Sequence, residues 1–340
     1  MKQTLFMRQL SAYFDIHLPN VRHCSPNTIA SYADAFTLFF MFMQEKKGVA
    51  HNRIDYNCFT PTVLEEYILW LLQERKYSVA SVNQRLAALS SFMKYASRRE
   101  MAAITAFTVV AGVEKPKVIR SPFPYFTVEE IGILLRLPDP NKKIERRDLV
   151  LLSLLYDSAA RAQEICDIKV GDIRFGTVTK VRLRGKGNKT REIPISNEVS
   201  KLLRYHLKEN ELEDKRDKPL FSSQLGGKMT TACIRNLVDK YTARAKKAHE
   251  KLFLEPKYSA HSYRHSKAVH MVESGTQIIY IRNFLGHASV RSTEIYIRVG
   301  QSTLIKMLSE RKVTIQYTTN SSKKNEDNLY PKFLDRARRK

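Results

Sequence analysis

Cysteine is scarce in this 340-residue chain: Cys24, Cys58, Cys166 and Cys233 stand far apart, and no CxxC pair occurs. Without such a pair a structural zinc site has no ligand framework. Scattered thiols, with Cys166 inside a helical pattern, suit a reducing compartment. A hydrophobic run of membrane-spanning length is also missing. The greasiest stretch, "AFTLFFMFM" at 35–43, is far too short for a span and reads as the core face of a helix. No continuous apolar h-region occurs in the first twenty residues, so no secretory signal is expected. The protein is expected to be soluble and cytoplasmic, without a membrane partner. Neither a P-loop nor a cluster of acidic metal ligands is found, so no nucleotide, metal or other cofactor is expected. Acidic residues are few as well. Asp plus Glu number 34 against 58 Lys plus Arg, a net charge of +24. A field of that sign and size displaces condensed counterions from nucleic acid and gives salt-sensitive binding to it.

Apolar residues make up 43% of the chain, enough for a buried core, and the length allows two domains of ordinary size. The first hundred residues carry helix signals. Ser25 as N-cap, Pro26 at the first helical position and Gly48 as terminator bracket one helix, and Thr60 with Pro61 opens another. Apolar residues at 82, 86, 89 and 93 form the stripe of an amphipathic helix, whose other face carries Arg85, Lys94, Arg98 and Arg99. Residues 112–126, with three prolines and a glycine, break the pattern and read as a basic linker. Thr127 and Glu130 then have capping-box spacing. "RRDLVLLSLLYDSAARAQEICDI" reads as two helices with Arg161 at their join. "TKVRLRGKGNKTREIPI" reads as a β-hairpin turning at 185–188, with Lys186 near the tip. Helices follow to about residue 311, "VTIQY" suggests a short late strand, and residues 320–340 read as a mobile basic tail. The fold class is therefore mainly α with a small β-hairpin or sheet (α+β).

Two boxes concentrate chemistry. "HSYRH" places His261 and Arg264 three residues apart, on one helix face. His261 and His265 have the spacing of a metal pair, but Ser262 stands where a zinc protease has glutamate, and no metal site is expected. "LGHASVRSTEIY" adds His287 and Tyr296. A phosphodiester in transfer gains negative charge on its non-bridging oxygens, which guanidiniums grip bidentately. Imidazoles donate hydrogen bonds or move protons. A phenol attacks phosphorus once its proton is removed, and a lysine on a hairpin protonates the departing oxygen.

In this order and spacing the boxes resemble those of the tyrosine recombinases, the phage integrases and Xer-type enzymes, over roughly residues 4–311. "SAARAQEICDIKVGDI" is similar to the family's TGLRxSE box, "RGKGNKTREIPI" to its lysine hairpin, "HSYRH" to its HxxRH box and "LGHASVRSTEIYIRV" to its tyrosine box. The resemblance implies a site-specific recombinase of integrase, transposase or resolvase type that cuts and rejoins DNA without metal or ATP. Arg161 and Arg264 would grip the phosphate, Lys186 would protonate the 5′ oxygen, and His261 and His287 would support proton transfer and charge. Tyr296 would form a 3′-phosphotyrosyl intermediate, with Glu164 structural. The chain departs from the box ahead of its arginine: Ala159-Ala160 stands where Thr-Gly is usual, with Ser158 earlier, and loss of the glycine is expected to alter the turn that presents Arg161. Lys189 and Lys180 compete with Lys186 for the acid role. Tyr258, Tyr263 and Tyr280 are nearby phenols, and Tyr280 is read as core.

The implied architecture is an amino-terminal core-binding bundle (1–111), the linker (112–126), a catalytic domain (127–312) and a tail (313–340). No separate arm-binding domain is expected. Double-stranded DNA is the implied partner, with a homo-tetramer assembled on it, alone or with a related recombinase. Residues 302–319 are candidates for exchange between protomers. Arg85, Lys94, Arg98, Lys240 and Arg244 are candidate DNA contacts, to phosphate rather than to bases. Two alternatives stay open: a type IB topoisomerase-like enzyme, and an inactive DNA-binding protein of the same fold.

Overall fold

The computed structural model describes residues 4–118, 123–185, 189–223, 226–287 and 289–299. Compactness divides the chain into two units, 1–121 and 122–340.

The first unit is helical. Helix α1 (Leu5–Ala12) continues in wider turns through Val21, and α2 spans Pro26–Lys47. Helix α3 (Pro61–Leu69) also widens at its end, before α4 (Val79–Ala96) and α5 (Ala102–Gly112). The capping signals work as read. Ser25 Oγ accepts the Thr28 N–H, and Gly48 closes α2 at φ 63°, in the left-handed region open to glycine. Thr60 caps α3 through the Val63 N–H. The predicted stripe on α4 is completely buried: Val82, Leu86, Leu89 and Met93 are each 0% exposed. Much of the core is aromatic. Phe92 meets Phe6, Tyr13 and Phe36 at centroid distances of 5.3, 5.4 and 5.4 Å, all edge-on, the geometry that the ring quadrupoles favour.

The second unit builds the site. Helix α6 (Val128–Arg136) starts at the Thr127–Glu130 capping box, with both reciprocal bonds made. Helix α7 (Lys143–Asp157) is followed by a sharp turn and the short α8 (Ala162–Asp167). Three antiparallel strands come next, β1 (Ile173–Arg174), β2 (Lys180–Arg184) and β3 (Thr190–Pro194), in that spatial order. The hairpin register pairs Arg184 with Thr190, and Val181, Leu183 and Ile193 face the core. Strand β1, two residues long, carries no alternation that a sequence reading detects. Helices α9 (Asn197–Glu209), α10 (Thr231–Ala248), α11 (Ala260–Glu273) and α12 (Ile278–Leu285) follow, then a helical stretch over 291–299. Phe126, at the end of the proline-rich segment, belongs to this core. It is 0% exposed, stacks on Tyr258 at 4.2 Å, and its N–H donates to Ser266 Oγ.

The suggested strand at "VTIQY", the tail and the 302–319 segment lie outside the described residues, as does Lys186. Among the described residues no helix is long and apolar enough to cross a membrane, and no group of His, Cys, Asp or Glu is arranged to hold a metal. Cys166 is a buried free thiol, as its place in a helix suggests.

Candidate active site

Arg161 stands at the N-cap of α8, where the chain leaves α7 through a tight turn. The left-handed residue of that turn is Ala159, at φ 47°. Counted back from Arg161, the box TGLRxSE has its glycine at Ala159 and its threonine at Ser158, one position earlier than the Ala159-Ala160 alignment. The turn survives without glycine. Ser158 Oγ donates to the Leu154 carbonyl at 2.6 Å and accepts the Ala160 N–H at 3.3 Å, which holds the backbone on both sides of the strained residue.

Glu164, 3% exposed, gathers the next layer. It accepts the backbone N–H of Arg161 at 2.8 Å and the Arg161 guanidinium at 2.9 Å. Arg191, on β3, meets it with a two-pronged pair, both bonds 2.8 Å, and donates Nε to the Phe284 carbonyl at 3.1 Å. Burial raises the Glu164 carboxyl, but the Arg191 and Arg161 hydrogen bonds and charges outweigh it and hold the group below the usual carboxylate range. Two glycines make room for this pair. A Cβ on Gly185 would come within 3.2 Å of Glu164 Oε1, and one on Gly286 within 3.0 Å of Arg191 Cδ. One arginine thus joins the hairpin, the start of α8 and the end of α12.

Helix α11 supplies the second guanidinium. Arg264 is 2% exposed and donates Nη1 to the Ala159 carbonyl at 2.7 Å and Nη2 to the Leu285 carbonyl at 2.6 Å. Burial first, then the charges of Arg161 and Arg191, bring its pKa down to about 10, so it stays cationic at neutral pH. His261, one turn earlier, is on the exposed side of the helix. His287 follows Gly286, which ends α12 at φ 66°, and its Nδ1 is 2.9 Å from Thr293 Oγ1. Burial, then Arg264, Arg161 and Arg191, lower the His287 imidazole to about 4, so it is neutral at pH 7.

Tyr296 is 2% exposed and packs with Ala159, Ala268, Val269, Ile281 and Leu285. Its ring lies parallel to that of His287, with centroids 6.4 Å apart, and edge-on to Phe123 at 5.2 Å. Its hydroxyl is 3.0 Å from His265 Nδ1. Burial raises the phenol pKa, while Arg264 and Arg161 pull it down. The other phenols are placed elsewhere. Tyr258 and Tyr263 are buried in the main core of the unit. Tyr280, read from sequence as core, is 63% exposed: its position on α12 falls outside the face that Ile281 and Leu285 bury.

A cleft of about 540 Å³ opens beside the Arg161–Glu164–Arg191 network, lined by Arg161, Arg191, Arg282, His287, Gly185 and Lys189 among others. Gly185 and Lys189 flank residues 186–188 in the chain, and Lys186 itself lies outside the described residues. The structure therefore brings Arg161, Arg264, His287 and Tyr296 into one neighbourhood, with His261 at its exposed side. Two residues of that neighbourhood had no role in the sequence reading. Arg191 sits within the lysine hairpin box, but pattern alone gives no reason to prefer it to the surrounding cations. His265 sits within "HSYRH", where spacing alone suggests only a metal ligand.

The candidate DNA contacts divide. Lys94 and Arg98 are exposed near the C-terminus of α4, and they line a small pocket of about 130 Å³ with Arg22, Arg99 and His17. Arg85 lies over the Tyr77 ring at 4.0 Å and donates to the Ser81 carbonyl. Lys240 pairs with Asp148 at 3.3 Å, and Arg244 with Glu145 at 3.0 Å, so both charges are already offset within the unit.

A buried phenol in the field of two guanidiniums, with a basic cleft alongside, is an arrangement suited to chemistry on an anionic ester. Comparison with known proteins gives the same class. The model of the phage integrase family matches residues 124–302, and that of the phage integrase N-terminal SAM-like domain matches residues 12–100. The tyrosine recombinase XerC of Chlamydia caviae is 29% identical over 304 residues, covering 85% of this chain and 93% of its own. A tyrosine recombinase of Pseudothermotoga lettingae is 27% identical over 297 residues, covering 86% and 94%. Among solved structures, the XerH site-specific recombinase bound to difH superposes with a TM-score of 0.67 at 21% identity, covering 85% of this chain and 81% of that one. The Tn1549 transposon integrase superposes at 0.64 and 16% identity, covering 90% and 98%. These two share the fold. The chain belongs to the phage integrase family, and it is a site-specific DNA recombinase of the tyrosine type.

Proposed function

We propose that Tyr296 is the nucleophile of this recombinase and that Arg161 and Arg264 hold the scissile phosphate. One observation carries this reading: the Tyr296 phenol is 2% exposed and lies in the field of both guanidiniums. Attack of Oη on phosphorus forms the O–P bond and breaks the bond to the 5′ oxygen, leaving a 3′-phosphotyrosyl link. The freed 5′ oxygen takes its proton from Lys186, an assignment supported by the box resemblance and by the flanking Gly185 and Lys189, which line the cleft. His287, with Nδ1 engaged by Thr293, offers Nε2 to a non-bridging oxygen, and His261 approaches from the solvent side. The link keeps the energy of the broken ester, so a 5′ hydroxyl from another strand rejoins it without ATP.

Duplex DNA is the partner, consistent with the +24 charge. Exchange between two duplexes takes one cut per strand. We therefore assign a homo-tetramer on DNA as the working form, alone or with a related recombinase, and residues 302–319 as the segment passed between protomers. The bundle of 1–111 and the catalytic domain of 127–312, joined by 112–126, each contact the duplex, with 313–340 as a tail. Exposed Lys94 and Arg98 are our preferred phosphate contacts over Lys240 and Arg244. The site of action we assign is the cytoplasm.

A nicked suicide duplex tests the reading, because loss of the short leaving strand traps the intermediate. Incubated with the full chain, it is expected to give a covalent adduct on a denaturing gel, and Tyr296→Phe is expected to abolish the adduct while DNA binding persists. An undiminished adduct from that variant puts the nucleophile elsewhere. Relaxation of supercoils without strand exchange would favour the topoisomerase reading.

A further inference from the structure

We infer that His265 is the general base that takes the proton from Tyr296, an inference that rests on Tyr296 being the nucleophile. The geometry is direct: His265 Nδ1 and Tyr296 Oη are 3.0 Å apart, within the reach that proton transfer requires. Two other described imidazoles lie nearby. His287 Nδ1 is taken by Thr293 Oγ1, and its ring lies parallel to the tyrosine with centroids 6.4 Å apart. His261 is exposed, and its ring centroid is 6.1 Å from that of His265.

The imidazole is also held in place. Phe123 packs on the His265 ring at 4.3 Å and meets the Tyr296 ring edge-on at 5.2 Å, so one aromatic side chain fixes both partners. Burial, with His261, Arg264 and His287 around it, brings the His265 pKa down to about 4. At neutral pH the ring is uncharged, and with its proton on Nε2 it presents a lone pair on Nδ1 to the phenol. The same cations that depress the imidazole attract the phenolate. When a phosphodiester enters, its negative charge offsets Arg264 and Arg161, and the proton affinity of His265 rises at the moment the proton must move.

The step balances. As the Oη–P bond forms and the P–O5′ bond breaks, the Tyr296 proton passes to Nδ1, while Lys186 protonates O5′. On rejoining, the incoming 5′ hydroxyl returns a proton to the lysine amine, and His265 returns its own to Oη.

The test compares single-turnover adduct formation by the full chain on two nicked suicide duplexes. One has the ordinary phosphodiester. The other carries a 5′-bridging phosphorothiolate, whose thiolate leaves without an acid. His265→Ala is expected to slow adduct formation by on the order of 10²-fold or more on both duplexes, with DNA binding and thermal midpoint unchanged. Added imidazole is expected to restore part of the rate. His265→Gln, which keeps a hydrogen-bonding side chain but accepts no proton, is expected to stay slow. A His265→Ala rate within about threefold of the parent overturns the proposal. So does recovery on the phosphorothiolate, which would place the residue on the leaving-group side, and so does recovery in His265→Gln, which would reduce it to positioning. Adduct formation by Tyr296→Phe would instead remove the nucleophile assignment, an outcome the His265 variants do not mimic.

Discussion

Ala159 shows how much a single backbone angle carries in this site. At φ 47° it occupies a region that disfavours any side chain, yet its carbonyl is the acceptor for Arg264 and its methyl is buried beside Tyr296. The strain of a left-handed alanine is roughly 1–2 kcal/mol. Glycine relieves it but loses about 0.5–1 kcal/mol to the entropy of the unfolded chain, and a buried methyl group besides. Ala159→Gly is therefore expected to change unfolding free energy by no more than about 1 kcal/mol, with adduct formation kept. Ala159→Val puts a branched side chain where none fits. It is expected to destabilise by about 2 kcal/mol or more and to suppress the adduct by moving the carbonyl that holds Arg264. Denaturant titration alongside the trapping assay distinguishes the two variants.

At the scale of elements, the site is a meeting of termini tied by one buried charge network. Strand β3 delivers Arg191, the start of α8 delivers Glu164, and the end of α12 delivers the Phe284 carbonyl and the Gly286 turn. Gly286 is needed twice: its φ of 66° favours glycine, and a Cβ there would press on Arg191 at 3.0 Å. Gly286→Ala is expected to lower stability by about 1–3 kcal/mol and to reduce adduct formation disproportionately, since the displaced Arg191 shares Glu164 with Arg161 and the turn itself carries His287. Comparing thermal midpoint with single-turnover rate checks this. A rate loss no larger than the fraction unfolded would show that the turn acts through stability alone.

For the whole molecule, the dominant quantity is the net charge of +24. Affinity for duplex DNA is expected to fall steeply with salt, and the slope of log affinity against log salt counts phosphate contacts at roughly 0.9 each. Arg98 is exposed and lines a cation-rich pocket, whereas Arg244 is paired with Glu145. Arg98→Ala is expected to reduce that slope by about one contact and Arg244→Ala to leave it near the parent value. Filter binding across a salt series measures both. Equal losses from the two variants would mean that the Glu145 pair opens on DNA.

Much of this protein is legible along the chain because the signals are local. The helix starts at Ser25, Thr60 and Thr127, the buried stripe from Val82 to Met93 and the hairpin around Gly185 each depend on residues a few positions apart. The order of four boxes gave the family, and charge gave the class of partner. Tertiary structure alone decided which members of those boxes touch. The Arg191–Glu164 pair joins residues 27 positions apart, and the His265–Tyr296 contact joins residues 31 apart. Tyr280 went to solvent because the face that α12 buries is chosen by its neighbours rather than by its own composition. Spacing within a helix or hairpin fixes which side chains share a face, but a contact across many residues is set by how those faces pack, and that information is spread over the entire chain.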